Sequence, residues 1–588
     1  MKYYLSSILL LTVIYLFFNG LKIKHKVTYE LSDTLRSSAL FEKPSDEFIQ
    51  IKLKSLSIRQ KAAQMVVSSI IPEGVDENSS EFKKLNKLCE NENIGGVIFF
   101  KGSASDYSRI SNKLQAYSDI PLLISADFER GTKMRVTDGN IYPNNMAIGA
   151  ANNEKLAFEM GAQIGREMRL IGIHQNYAPV CDVNNNPGNP IINVRSFGEN
   201  PVLVKNMSEA LFKGLQSANV IATVKHFPGH GDTEIDSHKD LPVLNFDMDR
   251  LNKIELVPFK NAIDKGIMSV MIAHLSFPGL EPAPNMPSSL SNNIVQKLLL
   301  DNLGFKGLVV TDALNMKGIT KYFSTSEVAV MCVEAGIDLI LMPIDETTTI
   351  DAIVNAVQSG RISEERLNRS VEKILKAKQW LGLFENKLIN DDDVYKSIDY
   401  NAAANISLEI AKESITLVKD ENNFLPVKNT EGRTLIISLS DGKDNLNISA
   451  YIRIFTAGFP NSLSHEITAE LDNITIESLL SELDKYDNIV VGVFAKVKYG
   501  TGKISILASH SDLLNRMAAI SKNFTVISYG NPYILKVFPS VPSYICAYGD
   551  ADVSIDASLM AITGSVHFQG RLPVSINEDY KFGMGIVK

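Results

Sequence analysis

A chain of 588 residues, 45% apolar and 21% charged, carries enough material for more than one globular core, since single cores seldom grow beyond roughly 250–300 residues. Its net charge of −8 supplies no basic field for nucleic acid, and no Lys/Arg-rich run appears beyond the short Lys22–Lys26 stretch. Four cysteines, Cys89, Cys181, Cys332 and Cys546, are too widely spread for a zinc ribbon or a disulfide framework.

The chain opens on Lys2 and the nearly unbroken apolar run Tyr3–Phe18, interrupted only by Ser6, Ser7 and Thr12, which reads as an export signal. No small-residue cleavage site follows Phe18, and the run is slightly shorter than the roughly 20 residues of a spanning helix, so removal and retention as a membrane tether both stay open. The expectation is a signal peptide or anchor over 1–26, a linker over 27–45, and an exported, periplasmic or membrane-anchored protein whose main domains lie outside the cytoplasm.

From 46 to 385, apolar strand-like runs alternate with helical stretches. The runs are Ala63–Val67, Gly95–Phe100, Leu122–Ala126, Gln175–Val180, Ile221–Val224, Ser269–Ala273, Leu308–Val310 and Leu339–Met342. Eight such units predict the α/β class and a parallel (β/α)8 barrel. Polar residues collect at the strand ends: Asp127, Asp182, Lys225 with His226, His274 and Asp312. Barrel enzymes place their sites on that face. One such Asp alone is equally well explained as a helix cap or turn residue, but the set is harder to explain that way. Ser363–Leu383 reads as a capped amphipathic helix that ends the barrel. A linker over 386–400 leads to a second α/β region over 401–588, with strand candidates Thr434–Leu439, Ile489–Phe494, Thr525–Ser528 and Tyr544–Ala547. It predicts an open doubly wound sheet. No GxGxxG and no phosphate loop accompanies it, so a nucleotide function has no support.

The densest chemistry lies in 225–238, Lys-His-Phe-Pro-Gly-His-Gly-Asp-Thr-Glu-Ile-Asp-Ser-His, which holds three of the nine histidines. Asp236 and His238 stand two residues apart, close enough for a carboxylate to orient an imidazole, and histidine is the side chain suited to proton transfer near neutrality. The pair is the candidate general acid/base. His226, His230, Asp232, Asp236 and His238 superficially suit zinc, yet their spacing fits no standard ligand pattern and no HExxH accompanies them. Neither metal nor cofactor is expected.

This segment, with Leu241-Pro242 after it, resembles the signature of the β-N-acetylglucosaminidases of the family 3 glycoside hydrolases, the type that trims peptidoglycan fragments. Asp127–Arg135, Tyr177–Asn184, Arg195–Pro201 and Gly304–Met316 are similar to further segments of that family. Ser414–Lys419, Leu425-Pro426, Gly530–Pro532 and Gly570–Ser575 resemble its C-terminal α/β/α sandwich. The resemblance implies a (β/α)8 barrel followed by an α/β/α sandwich domain, and an exo-acting retaining enzyme without a cofactor. It implies Asp312 as nucleophile, His238 as acid/base and Asp236 as its orienting partner. Asp127 would hold sugar hydroxyls, and Arg135, Arg195, Lys225 and His226 would surround the N-acetyl sugar. His230 and Asp232 are assigned to fixing the loop. The implied partners are N-acetylglucosamine-containing glycans, peptidoglycan fragments first and chitin oligomers second. A β-glycosidase or phosphorolytic activity within the family, and a non-catalytic glycan-binding role, stand as alternatives. Where many relatives carry two glycines after the Glu of Asp127-Phe-Glu129, this chain has Arg130-Gly131, which sets a bulky cation beside the sugar pocket or turned away from it.

Overall fold

The computed structural model describes residues 39–234, 240–390, 394–442, 447–495 and 506–588. The apolar N-terminal segment, expected as a signal or anchor, lies outside the described residues. Among the described residues no helix is long and apolar enough to cross a membrane. The four cysteines are buried and unpaired.

Eight parallel strands form the first sheet: β1 (Val66–Ile70), β2 (Gly96–Phe99), β3 (Leu123–Ala126), β4 (Gln175–Asn176), β5 (Ile221–Phe227), β6 (Ser269–Ile272), β7 (Leu308–Thr311) and β8 (Ile340–Leu341). Neighbours pair in chain order from β1 to β7, β8 pairs with β1, and a parallel bridge from Val310 to Leu339 closes the ring. The barrel strands are buried almost throughout, and so they read as continuous apolar runs in the sequence.

Strand β1 starts well after the beginning of its predicted apolar run. Ala63 and Gln64 belong to the helix Ile58–Gln64, whose N-cap Ser57 and Gln60 form a reciprocal capping box, and β1 begins only at Val66. The predicted closing helix runs over Glu364–Trp380 with Ser363 as its cap, the Ser363 side chain accepting from the Arg366 N–H.

The second sheet has six strands: β9 (Thr416–Asp420), β10 (Thr434–Leu439), β11 (Ser462–Ile467), β12 (Asn488–Val493), β13 (Phe524–Ser528) and β14 (Ser543–Cys546). Their order is β11-β10-β12-β13-β14-β9, parallel except for β9, which runs antiparallel at one edge. Helices cover the sheet to make the α/β/α sandwich. Strands β9 and β11 were not anticipated. β11 is an edge strand whose last residue, Ile467, is its only buried one, so it lacks the apolar run that marks its neighbours.

The sandwich docks directly on the barrel. Met146, Ala147, Ala150 and Val194 of the barrel join the apolar core of the sandwich. Backbone bonds tie Arg571 N–H to Ala150 O at 3.0 Å and Glu199 N–H to Pro573 O at 3.0 Å. The Asn144 amide donates to Tyr548 O at 2.7 Å. The loop after β14 and the segment around Arg571 and Pro573 therefore meet the barrel directly.

The helices Glu154–Leu170 and Pro201–Ser217, which lead into β4 and β5, cross with almost no space between their backbones. A Cβ at Gly161 would stand 2.3 Å from Leu211 O, and one at Gly214 would stand 2.2 Å from Phe158 O. Alanine ordinarily favours a helix over glycine by up to ~1 kcal/mol, but here it must force the pair apart. Gly161→Ala and Gly214→Ala should each destabilise the protein by about 1–3 kcal/mol, read as a lowered urea midpoint. A midpoint that stays or rises refutes this close approach.

Candidate active site

The site is built at the carboxyl ends of β3, β5 and β7. Asp127 and Glu129 follow β3 two residues apart, and both meet the ammonium of Lys225 near the end of β5. Lys225 Nζ lies 2.6 Å from Asp127 Oδ1 and 2.8 Å from Glu129 Oε1. Arg195 closes on Glu129 from the turn Asn193–Arg195 in a two-pronged pair, Nη2 to Oε1 at 2.6 Å and Nε to Oε2 at 2.9 Å. Arg135 stands 3.6 Å from the second oxygen of Asp127 and lies over the Phe100 ring, its guanidinium carbon 5.5 Å from the centroid.

Burial would raise the carboxyl pKa of Glu129, but Arg195 and Lys225 hold it well below the ordinary carboxylate range. Burial would likewise lower the Lys225 ammonium, yet Asp127 and Glu129 raise it. Both groups are therefore charged at neutral pH.

His226 follows Lys225, and its Nδ1 lies 2.7 Å from Asp182 Oδ2. An ionised carboxylate only accepts, so this nitrogen carries the hydrogen and Nε2 is the ring's acceptor when the imidazole is neutral. The backbone N–H groups of His226 and His230 also donate to Asp182 Oδ1, at 3.2 and 2.7 Å. Burial works against ionisation of Asp182, but His226 and these donors hold its carboxyl below the usual range. His230 is pushed down to about 4 by burial and by neighbouring His226, and its Nδ1 lies 2.9 Å from Thr233 Oγ1.

Asp312 follows β7, with its backbone N–H bonded to Ile272 O at 2.9 Å. Burial would raise its carboxyl, but His226, His274, the Ala313 N–H and Lys225 together bring it below the ordinary value. Among the described residues its side chain takes a single hydrogen bond, Ala313 N–H to Oδ1 at 2.8 Å. His274 steadies that peptide by donating from Nε2 to Ala313 O at 3.1 Å, while its Nδ1 sits 2.8 Å from Ser289 Oγ.

A cavity of about 350 Å³ opens at this site. Six of the eight residues expected from the sequence meet there: Asp127, Arg135, Arg195, Lys225, His226 and Asp312. Apolar walls come from Phe100, Met271 and Met342. Asp236 and His238 lie outside the described residues. Before them, Asp232 pairs with Arg250 at 3.0 Å. After them, Asp240 takes bonds from Lys321 Nζ and Tyr322 OH, each at 2.9 Å, in the segment that follows β7. Of the residues a metal site would use, His226, His230 and Asp232 are thus engaged with Asp182, Thr233 and Arg250.

Glu129 was missed as a site member, and Asp182 and His274, read from the sequence as polar strand-end residues, had no individual role assigned. Glu129 and Asp182 hold Lys225, Arg195 and His226 in place, and His274 holds the Asp312–Ala313 turn. Glu129 had a local signal, its spacing of two from Asp127. Arg130 is turned toward the Tyr142 carbonyl, with Nη1 at 3.3 Å, and lines a neighbouring cavity, not the one over Asp312.

The sequence matches the glycosyl hydrolase family 3 N terminal domain over residues 57–377 and the family's C-terminal domain over residues 415–583. Beta-hexosaminidase A of Pseudoalteromonas piscicida is 32% identical over 377 residues, which make 59% of this chain and 62% of that protein, under two thirds of its length. A beta-N-acetylglucosaminidase/beta-glucosidase of Cellulomonas fimi is 28% identical over 516 residues, 84% of this chain and 91% of that one. Among solved structures, a glycoside hydrolase family 3 beta-N-acetylglucosaminidase from Paenibacillus sp. str. FPU-7 superposes with a TM-score of 0.77 at 32% identity, covering 89% of this chain and 99% of the other. The beta-glucoside phosphorylase BglX superposes at 0.81 with 26% identity, covering 92% and 97%.

Because the folded carboxyl of Glu129 is depressed, its stabilisation is complete above the unfolded value near 4 and is lost as pH falls toward the folded one. Glu129→Gln leaves Lys225 and Arg195 short of one buried counter-charge, at a cost of about 3–5 kcal/mol at pH 7. The gap between the urea midpoints of wild type and variant should narrow as pH drops below about 4. A gap that stays constant down to pH 3 overturns this reading.

Proposed function

We propose that this chain, which belongs to glycosyl hydrolase family 3, removes terminal N-acetylglucosamine from glycans with retention of configuration, acting from the chain end through a covalent glycosyl-enzyme on Asp312. One observation carries the reading. Among the described residues Asp312 is the carboxylate of the site without an ion pair, its side chain taking one hydrogen bond from the Ala313 N–H, whereas Asp127 and Glu129 are engaged by cations. A carboxylate kept ionised but paired with no cation is suited to attack carbon, and one whose charge is balanced by cations is suited to accept from hydroxyls.

In the first step an oxygen of Asp312 bonds to the anomeric carbon while the bond to the leaving oxygen breaks, and that oxygen takes a proton from His238. In the second step water gives its proton to His238 and bonds to the same carbon, and Asp312 leaves with its electron pair. Asp236 orients the imidazole and stabilises its charged form. The charged groups around Lys225 receive the sugar's hydroxyl and acetamido groups, and His226, with Nε2 as its acceptor, takes a hydroxyl hydrogen. A protein nucleophile leaves the acetamido group as a recognition handle and not as a reactant.

The substrate class rests on the His-based segment 225–238 and on the names of the similar proteins. Peptidoglycan fragments come first and chitin oligomers second. The apolar run Tyr3–Phe18 supports export or tethering, with the enzyme acting outside the cytoplasm. Phosphorolysis is the second reading, favoured by the likeness to a beta-glucoside phosphorylase. A neutral histidine base repels an approaching phosphate less than a carboxylate base would.

Asp312→Ala should lower kcat on 4-nitrophenyl N-acetylglucosaminide by about a thousandfold or more. A slow fluorinated N-acetylglucosaminide with a good leaving group should add one sugar mass to the wild-type peptide containing Asp312. Release of an oxazoline with no adduct rejects the nucleophile, and formation of a sugar phosphate in phosphate buffer selects the second reading.

A further inference from the structure

The first described helices lie at the opposite end of the barrel from the cavity over Asp312. Ala39–Glu42 and Glu47–Ser55 belong with the closing helix Glu364–Trp380: Gln379 Nε2 donates to Asp46 Oδ2 at 2.8 Å, Lys376 Nζ donates to Lys43 O at 2.7 Å, and Ser45 Oγ donates to Glu372. That closing helix lies against the amino ends of the strands. Lys378 Nζ donates to Gln64 Oε1 at 2.7 Å, just before β1, and Lys373 Nζ donates to Gly307 O at 2.9 Å, just before β7. The groups around Asp312 stand at the carboxyl ends of the same strands, so a helix layer and a strand's length, on the order of 30 Å, separate the two.

This end turns apolar side chains outward. Phe48 is 46% exposed and Ile51 61% exposed, one turn apart on the same face of Glu47–Ser55, while Ile49 and Leu53 bury the other face. The Phe48 ring meets that of Phe384 edge-on, with centroids 5.0 Å apart. The segment after Phe384 carries exposed Leu388 and ties Lys387 Nζ to Ser118 O at 2.6 Å, beside exposed Tyr117. Lys52 and Lys54 lie in the last turn of the helix. Outward apolar residues with lysines beside them suit a lipid interface, where the lysine stems cover apolar surface and carry their charge to the headgroups. Glu42, Glu47 and Glu385 are exposed at the same end, so its field is mixed and contact would rest on the apolar groups.

The length of chain before Ala39 says which surface these residues meet. Residues 19–38, twenty in number, join the apolar run Tyr3–Phe18 to the first described helix. Twenty residues of coil span about 25 Å on average and no more than about 70 Å when fully drawn out. With the run held in a bilayer, the end of the barrel at Ala39 stays within that reach of the lipid, and the cavity lies beyond it.

We propose that the face formed by Phe48, Ile51, Phe384 and Leu388 rests on a lipid surface, and that this contact turns the cavity over Asp312 away from the bilayer. The proposal rests on the reading of Tyr3–Phe18 as a membrane tether.

The four native cysteines are buried, so a thiol-reactive, polarity-sensitive dye goes to a cysteine introduced at the surface. The full chain carrying Ile51→Cys, labelled and incorporated into phosphatidylcholine/phosphatidylglycerol vesicles, should shift its emission to the blue and lose intensity to lipids that bear a nitroxide near the headgroup. The same dye on Ile474→Cys, 81% exposed on a helix of the sandwich, should do neither. Adding Phe48→Asp to the labelled Ile51→Cys chain should abolish both effects and leave the far-ultraviolet circular dichroism unchanged. A blue shift without nitroxide quenching assigns the face to a second copy of the chain and overturns the proposal, as does a label at 51 that responds no more than the one at 474. Vesicles that fail to retain the full chain on flotation sink the tether reading as well, whereas retention without quenching at 51 sinks only the lipid-facing surface.

Discussion

Lys225 is 2% exposed, and its ammonium sits between two carboxylates, Asp127 at 2.6 Å and Glu129 at 2.8 Å, the second of which also grips Arg195. Each ion taken out of water costs several kcal/mol unless its partners are in place. The cluster consequently behaves as a unit: the loop after β3, the end of β5 and the turn at 193–195 are all set together, or a buried charge is left bare. That coupling fixes the pocket's polar wall before any sugar arrives, which is what positioning and electrostatic preorganisation require.

The same cluster separates the roles of the carboxylates around the cavity. Asp127 and Glu129 are occupied by Lys225 and the arginines, and Asp182 by His226 and two backbone N–H groups. Among the described residues Asp312 alone stands off from direct ion pairs while feeling the field of Lys225, His226 and His274 at a distance. It stays ionised without being paired. His274 contributes through the backbone: by holding Ala313 O it fixes the peptide whose N–H steadies one Asp312 oxygen.

Much of this was legible in the sequence because barrel strands are buried on both faces and so announce themselves as apolar runs ending in polar residues. Asp127, Lys225, His226 and Asp312 could be named from that pattern and the segment 225–238. The misplacement at β1 has a specific cause: Ala62–Gln64 are as buried in a helix as they would be in a strand, and only the Ser57/Gln60 box tells the two apart. β11 was invisible because an exposed edge needs no apolar alternation. The partnerships Asp182–His226 and Glu129–Arg195 were illegible for another reason. Their members lie 44 and 66 residues apart, and only the closed barrel brings them together.

The link between the domains follows from the same contacts. Tyr548 O of the sandwich receives the amide of Asn144, the next residue's amide holds Arg195 O, and the Arg195 side chain grips Glu129, which shares Lys225 with Asp127. Five contacts thus run from the loop after β14 to the carboxylate expected to hold the sugar. Each link is short and mostly buried. Transmission of a signal would need an element with two alternative arrangements, and nothing along this path offers one. The path is better understood as a brace: the sandwich restrains the turn that carries Arg195, and the rigidity of that turn keeps the buried cations in register with their carboxylates.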